Sequence, residues 1–182
     1  MHFAELASFQ DEPLQMASSA VGKNGFLHLG FERRDDRTIL ADLDRRTPFT
    51  AQRALYPEPA LPDLAWLFII TTTGCVLQGD RLALVVTLEP GARAHVTTQS
   101  ATKVHSMDAN CAVQTQSFVL ADDAYLEFLP EPLIPHRQAR FLSDTRITIA
   151  PTATFLYAEI VQAGRKHHHP DESFGATLLS LG

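Results

Sequence analysis

Short runs of alternating hydrophobic and polar residues recur along this 182-residue chain, whereas helical periodicity is scarce. In FLHLGFER, the side chains of Leu27, Leu29 and Phe31 share one side of an extended segment. Such alternation indicates strands with one buried face, and it recurs in RTILADLD, LALVVTL, ARAHVTT, CAVQTQSFVL and DTRITIA. LAWLFIITTT is continuously apolar, which predicts a strand buried on both faces. The pattern predicts an all-β protein, in which 11 scattered prolines restrict helices to short connections.

Three segments of the chain align with one another without gaps. They are Thr87–Val96, Val119–Phe128 and Thr148–Tyr157. Each contains an aliphatic residue (Leu88, Leu120 or Ile149), a short bend, an alanine and the start of a new strand, and the aliphatic residues are 32 and 29 residues apart. This interval predicts stacked strands in a β-helix-like architecture. Hairpin turns in a β-sandwich would carry the same bends, so that alternative stays open.

Composition predicts an ordinary globular protein in a reducing compartment. A net charge of -6 argues against nucleic acid as a partner, because phosphate binding requires clustered cations. Cys75 and Cys111 are far apart and in no paired motif, which favours free thiols. The longest apolar stretch, Leu64–Ile70, is too short to span a bilayer, and the first residues do not resemble a secretory signal. We therefore expect a cytoplasmic protein with one domain over residues 1–182, a poorly determined segment over 1–20, and no membrane partner.

Candidate chemistry is limited to a few carboxylates and hydroxyls. The sequence contains no P-loop, nucleophile elbow or HExxH zinc motif. The QGD bend places Asp80 between two apolar strands, either as a turn former or as a carboxylate offered to a cation at the rim of a sheet. Glu127 and Glu159 each lie between apolar neighbours, so we expect both carboxylates to face solvent, and an inward position for either would require a partner or water.

Histidines are the other candidate metal ligands. His95, His105 and His136 lie in different segments, with no spacing that ties them to one ion. His167, His168 and His169 are adjacent, so that on an extended segment they point to alternate sides and do not converge easily. We expect these three residues to form a solvated loop with weak metal affinity.

Several blocks, taken in order, resemble the urease accessory protein UreD (UreH) family. The resemblance covers essentially the whole chain from Val21 onward and rests on the following blocks: GKNGFLHLGFERRDDRTILADLDRRTPFTAQRALYPE, GCVLQGDRLALVVTLEPGARAHVTTQSATKVHS, LEFLPEPLIPHRQARF, YAEIVQAGRK and ESFG. Members of this family usually continue well past the ESFG block, so the resemblance also implies that the usual C-terminal portion is absent.

The resemblance implies a scaffold rather than an enzyme. UreD-type proteins bridge apo-urease and the partners UreF and UreG during GTP-dependent nickel insertion, and GTP hydrolysis belongs to a partner. The family's proposed nickel route is an internal passage, onto which Asp80, Thr102 and Glu159 carry over by position. Glu127 is added from the L-E-x-L-P block. The implied cofactor state is nickel(II) in transit, with none bound tightly, because an ion on a route must leave each site as readily as it enters.

Two alternatives from other classes stay open. A β-stacked polysaccharide hydrolase or lyase would use Asp80, Glu127 and Glu159 as acid and base, and it would need two carboxylates across one groove. A stand-alone metal-binding protein would centre on the three adjacent histidines. Glycan cleavage would support the former, and a tight stoichiometric site lost on mutating the histidines would support the latter.

Overall fold

The computed structural model describes Ala4, Ala7, residues 23–164 and residues 175–182. Within these residues the regular elements are 13 β-strands, so the predicted all-β class is confirmed. The strands are Asn24–Arg34 (β1), Arg37–Arg46 (β2), Phe49–Ala51 (β3), Ala65–Thr71 (β4), Arg81–Leu88 (β5), Arg93–Thr98 (β6), Thr102–Val104 (β7), Ala112–Leu120 (β8), Tyr125–Phe128 (β9), Leu133–Pro135 (β10), Arg140–Ile149 (β11), Thr154–Tyr157 (β12) and Leu178–Leu181 (β13).

The strands form three sheets. The six-stranded sheet has the order β13-β11-β8-β5-β1-β2, the five-stranded sheet has the order β12-β9-β6-β4-β3, and β7 pairs with β10 in a third. All neighbouring strands are parallel except the pairs β1–β2 and β3–β4, which are antiparallel. Parallel neighbours cannot be joined by tight hairpins, so the chain must leave each sheet before it returns.

The chain returns to the same sheets in the same order. It runs through β5, β6 and β7, then through β8, β9 and β10, and then through β11 and β12, each time adding a strand beside its counterpart. In this register, Leu120 pairs with Leu88 on one side and with Ile149 on the other, as the gapless alignment predicted. The β-helix-like description of the whole chain stays a prediction, because two strand pairs are antiparallel.

The core lies between the two large sheets. Phe118 is fully buried, and its ring centroid lies 4.8 Å from that of Phe128, 5.0 Å from that of Phe155 and 6.1 Å from that of Tyr157. Burying a phenylalanine contributes about 1.5 to 3 kcal/mol, and each well-oriented aromatic pair adds about 0.5 to 1.5 kcal/mol. This aromatic cluster therefore fixes the distance between β8 of one sheet and β9 and β12 of the other.

Strand β4 departs from its predicted environment. Ala65, Leu67 and Ile69 are buried, whereas Phe68 on the opposite side is 39% exposed. The prediction that this segment is buried on both faces is wrong, because only one face of the five-stranded sheet packs on the core at this strand. A continuous apolar run does not distinguish these two environments.

Two further expectations concern cysteines and membranes. Cys75 and Cys111 are both free thiols, Cys75 partly exposed and Cys111 buried. The part of the chain that the structure describes contains no helix with the length and hydropathy needed to cross a membrane.

Candidate functional site

Asp80 lies immediately before β5 in a turn, and its side chain is fully buried. The backbone N–H of Leu77 donates to Oδ2 at 2.9 Å, and Gly79 supplies the positive φ of 76° that the bend requires. The backbone N–H of Lys23 donates to Oδ1, also at 2.9 Å. Asp80 therefore lies at the end of the sheet but is buried there, and it holds two distant backbone segments together. An ionised carboxylate has about four acceptor positions, so two of them stay available to a further ligand.

A cavity of about 70 Å³ lies between the sheets. Its polar lining residues are Thr71, Thr98, Thr102, Gln114, Gln116, Glu131, Ser143 and Glu159. A smaller cavity of about 10 Å³ adjoins it and is bounded by Asp80. Both cavities are lined by Thr71, Val76, Leu82 and Thr102, so Thr102 stands between them. A space of about 10 to 15 Å³ admits one water molecule, so the smaller cavity has room for about one and the larger cavity for several.

The inward positions become more polar from one strand to the next across the six-stranded sheet. Two columns of register partners run from β5 through β8 to β11: Leu82, Gln114 and Ser143, and Leu84, Gln116 and Thr145. Gln116 is only 3% exposed, and its Nε2 donates to Oγ of Ser143 at 3.4 Å and to Oγ1 of Thr145 at 3.1 Å. Because a buried amide without partners is costly, these hydroxyls are what makes Gln116 tolerable in the interior.

Tyr157 adds a buried hydroxyl to the same region. Burial raises the pKa of Tyr157 to about 12, and the negative charge of Glu159 adds to this rise. The ring of Tyr157 stacks on Phe128, with centroids 5.8 Å apart and planes 10° apart. Tyr157 therefore stays neutral at physiological pH, close to the exposed Glu159 carboxylate.

Glu127 lies on the outer face of the five-stranded sheet, opposite Leu126 and Phe128. Its Oε2 is 2.6 Å from Nδ1 of His95, and the hydroxyl of Tyr125 donates to Oε1 at 2.5 Å. Burial alone would raise the pKa of Glu127, but the hydrogen bonds from Tyr125 and His95 outweigh it and leave the pKa below its usual value. Glu127 thus faces outward, so the condition set for an inward carboxylate does not arise, and Glu127 does not line either cavity.

The structure therefore brings Asp80, Thr102 and Glu159 to adjoining cavities and places Glu127 elsewhere. The site residues predicted from the sequence did not include Gln114, Gln116, Ser143 and Tyr157. A signal for the glutamines was present, because in CAVQTQSFVL both glutamines alternate in phase with Phe118 and so share its inward face. Polar residues at inward positions indicate a polar interior.

The histidines behave differently from one another. His167, His168 and His169 lie outside the described residues, so the predicted weak loop site stays a prediction. In the described ranges, no group of three or more His, Cys, Asp or Glu side chains is arranged to hold a metal ion. His95 stacks on Trp66, with ring centroids 4.0 Å apart, and lies apart from the other two. His105 and His136 lie in different segments of the sequence, yet their ring centroids are 5.6 Å apart.

Fold and site together define an all-β protein with a partly open, mainly apolar cavity between its sheets, to which several polar side chains also contribute. The sequence profile of the UreD urease accessory protein family matches residues 23–180. The chain belongs to this family, as its sequence resemblance implied.

The chain is similar to three curated relatives from Yersinia, each 56% identical over 176 residues and matched by 97% of this chain. They are the urease accessory proteins UreD of Yersinia pseudotuberculosis serotype O:1b (strain IP 31758), Yersinia enterocolitica serotype O:8 / biotype 1B (strain NCTC 13174 / 8081) and Yersinia pestis bv. Antiqua (strain Antiqua). The match covers 55%, 54% and 64% of their respective lengths. The chain therefore spans little more than half the length of the first two.

Proposed function

We propose that this chain is a non-enzymatic accessory scaffold in urease maturation, and that nickel(II) passes through its interior on the way to the urease active site. Membership of the UreD family supports the role in maturation. The observation that carries the nickel route is that Asp80, Thr102 and Glu159 line two adjoining cavities. These three residues lie in different segments of the sequence, and only the stacking of successive strands brings them to adjoining cavities.

The donor types suit transport rather than storage. Nickel(II) accepts oxygen and imidazole ligands, and a closed set of several strong donors would hold it too tightly for release. A carboxylate at Asp80, a hydroxyl at Thr102 and a carboxylate at Glu159 offer weak ligands in series. Because the smaller cavity has room for about one water, an ion there exchanges its own waters for protein oxygens. Gln114, Gln116 and Ser143 provide further neutral oxygens along the larger cavity.

The scaffold acts between proteins. In this proposal its partners are apo-urease, UreF and UreG, it works in the cytoplasm, and the hydrolysis of GTP belongs to a partner. The sequence supports this division of labour, because it contains no P-loop to bind a nucleotide. Nickel is the cargo of the scaffold, not a resident cofactor.

The carboxylate positions do not favour the polysaccharide alternative. Glycoside hydrolysis needs two carboxyl groups that face the same bound sugar from opposite sides. Asp80 is buried and accepts two backbone hydrogen bonds, whereas Glu127 lies on the outer face of another sheet and is engaged with His95. These two groups do not share a groove.

Urease activation in cells tests the proposal. The chain, extended with the remaining part of a Yersinia relative, is expressed with urease and the other accessory proteins in a strain that lacks its own UreD. Thr102→Val and Glu159→Gln preserve side-chain size and remove one hydroxyl and one charge. We expect both variants to lower urease activity and the nickel content of purified urease by about the same factor, while UreF still co-purifies.

Glu89→Gln is the matched control, because Glu89 is an exposed carboxylate that does not line either cavity. It is expected to leave the nickel content of urease unchanged. Normal nickel content in both Thr102→Val and Glu159→Gln would contradict the internal route. Loss of UreF binding in those variants would instead assign the residues to assembly.

A further inference from the structure

His105 and His136 occupy equivalent positions on successive passes of the chain. His105 follows β7 and His136 follows β10, and these strands pair in parallel with Val104 opposite Pro135. The ladder continues one step further, because the N–H of His105 donates to the carbonyl of Val76 and that of His136 to the carbonyl of Val104, both at 2.9 Å. Two histidines that are 31 residues apart in sequence are thereby stacked in one column.

The geometry of the two rings suits a shared ion. Their centroids are 5.6 Å apart and their planes are inclined by 57°. An imidazole nitrogen binds a first-row metal ion at about 2.1 Å, so two rings that share one ion have centroids on the order of 5 to 6 Å apart. The observed spacing falls in this range, whereas the inclination is far from the parallel planes of a stacked pair.

The tautomer of His105 is also set. Its Nδ1 lies 3.2 Å from the carbonyl oxygen of Ser106, and a ring N–H donated to this carbonyl leaves the lone pair on Nε2. Metal-binding histidines commonly donate their second ring nitrogen to a carbonyl or carboxylate, which orients the ring and raises its basicity. His105 is exposed, so an ion reaches it directly from solvent.

We propose that His105 and His136 form a two-imidazole surface site for a single divalent transition-metal ion such as nickel(II), copper(II) or zinc(II). Imidazole favours these ions over magnesium and calcium, which prefer oxygen ligands. The site is separate from the interior route, because neither histidine lines the two cavities. A negative result for this site therefore leaves the proposed function untouched, and a negative result for the proposed function leaves this site untouched.

Calorimetric titration of the full chain with nickel sulfate tests this site. The titration uses a background in which His167, His168 and His169 are replaced by Ala, so that the adjacent histidines contribute nothing. We expect one nickel ion per chain, and we expect His105→Gln or His136→Gln to weaken binding by about tenfold or more, because the chelate becomes a single ligand. His28→Gln is the control, since His28 lies on β1 beside Asp42 and Thr87, and it should leave affinity unchanged.

Pulsed electron paramagnetic resonance of the copper(II)-loaded background protein provides a measurement that needs no further substitution. Two equatorial imidazoles per copper ion support the site, and a single imidazole overturns it. Nickel binding that persists undiminished in both His105→Gln and His136→Gln also overturns it, as does binding of magnesium with equal affinity. Circular dichroism confirms that each variant keeps the fold of the parent.

Discussion

At the scale of single residues, Asp80 combines a structural role with a charge, and the two can be separated. Its oxygens accept hydrogen bonds from the backbone of Leu77 and Lys23 in a fully buried environment. Asp80→Ala leaves both N–H groups without a partner, so we expect it to lower the free energy of unfolding by about 2 to 4 kcal/mol. Asp80→Asn retains one acceptor oxygen and should cost about half as much. Urea denaturation measures both.

The same pair of variants tests the charge in urease activation. In the chain extended to the length of its relatives, Asp80→Asn should lower urease activation while UreF still binds, because a neutral amide attracts a divalent cation far less than a carboxylate does. Wild-type activation by Asp80→Asn, with a defect only in Asp80→Ala, would make Asp80 a turn former and remove it from the nickel route.

Glu127 gives a pH-dependent prediction. Its folded-state pKa is lowered by the hydrogen bonds from Tyr125 and His95, despite the opposing effect of burial. A carboxyl group with a lowered pKa stabilises the fold above its unfolded pKa of about 4.3, and this contribution disappears as pH falls through the lower folded pKa. We therefore expect Glu127→Gln to be less stable than wild type at pH 7, with a difference that shrinks below about pH 4.

Urea denaturation at a series of pH values measures this difference. Glu89→Gln, which changes an exposed carboxylate, serves as the control and should show a small, pH-independent difference. A constant difference between Glu127→Gln and wild type across the acid range would show that the ionised form of Glu127 contributes nothing to the fold.

At the scale of elements, periodicity was informative where the local environment is simple. Alternation identified strands such as β5, in which every second residue from Leu82 to Leu88 is buried. It also supplied the register, because equal spacing of bends places Leu88, Leu120 and Ile149 side by side. Periodicity was misleading for β4, since a continuous apolar run reports composition, whereas burial of the second face depends on what packs there.

The aligned alanines lead to a prediction about bends. Ala124 is 1% exposed, directly before β9, and its carbonyl accepts from Thr154 of the next strand at 2.8 Å. Ala124→Leu must displace packed neighbours, so we expect a loss of about 1 to 3 kcal/mol in the free energy of unfolding. Ala153 occupies the aligned bend before β12 but is only half-buried, so Ala153→Leu should cost less. If urea denaturation showed that both substitutions lower the free energy of unfolding equally, burial would not explain the difference between the two aligned bends.

At the scale of the whole molecule, the site depends on contacts that the sequence does not encode locally. Local sequence singled out Asp80 and Glu159, and family resemblance added Thr102, but the adjoining cavities became visible only with the strands stacked. Lys23 illustrates the reason, because its bond to Asp80 joins residues 57 positions apart. The contact between His105 and His136 likewise follows from the pairing of β7 and β10, which no local sequence motif predicts.

The position of a strand in the stack also determines how deeply its inward side chains are buried, and therefore how much they stabilise the fold. Val86, Phe118 and Ile147 are register partners on β5, β8 and β11, yet Val86 and Phe118 are fully buried while Ile147 is 48% exposed. In this chain Ile147→Ala should therefore lower the free energy of unfolding by less than about 1 kcal/mol, whereas a fully buried isoleucine in the same column would lose about 2 to 5 kcal/mol.

Extending the chain tests whether further residues continue the column. The relatives are longer, and joining this chain to the remaining part of the Yersinia pseudotuberculosis relative supplies the additional length. If that part stacks on β11, Ile147 becomes buried, and the cost of Ile147→Ala in urea denaturation should rise to about 2 to 5 kcal/mol. Val119→Ala is the control, because Val119 is 40% exposed on the outer face of β8, where an added strand beside β11 does not cover it. An unchanged cost for Ile147→Ala in the extended chain would show that the additional residues pack elsewhere.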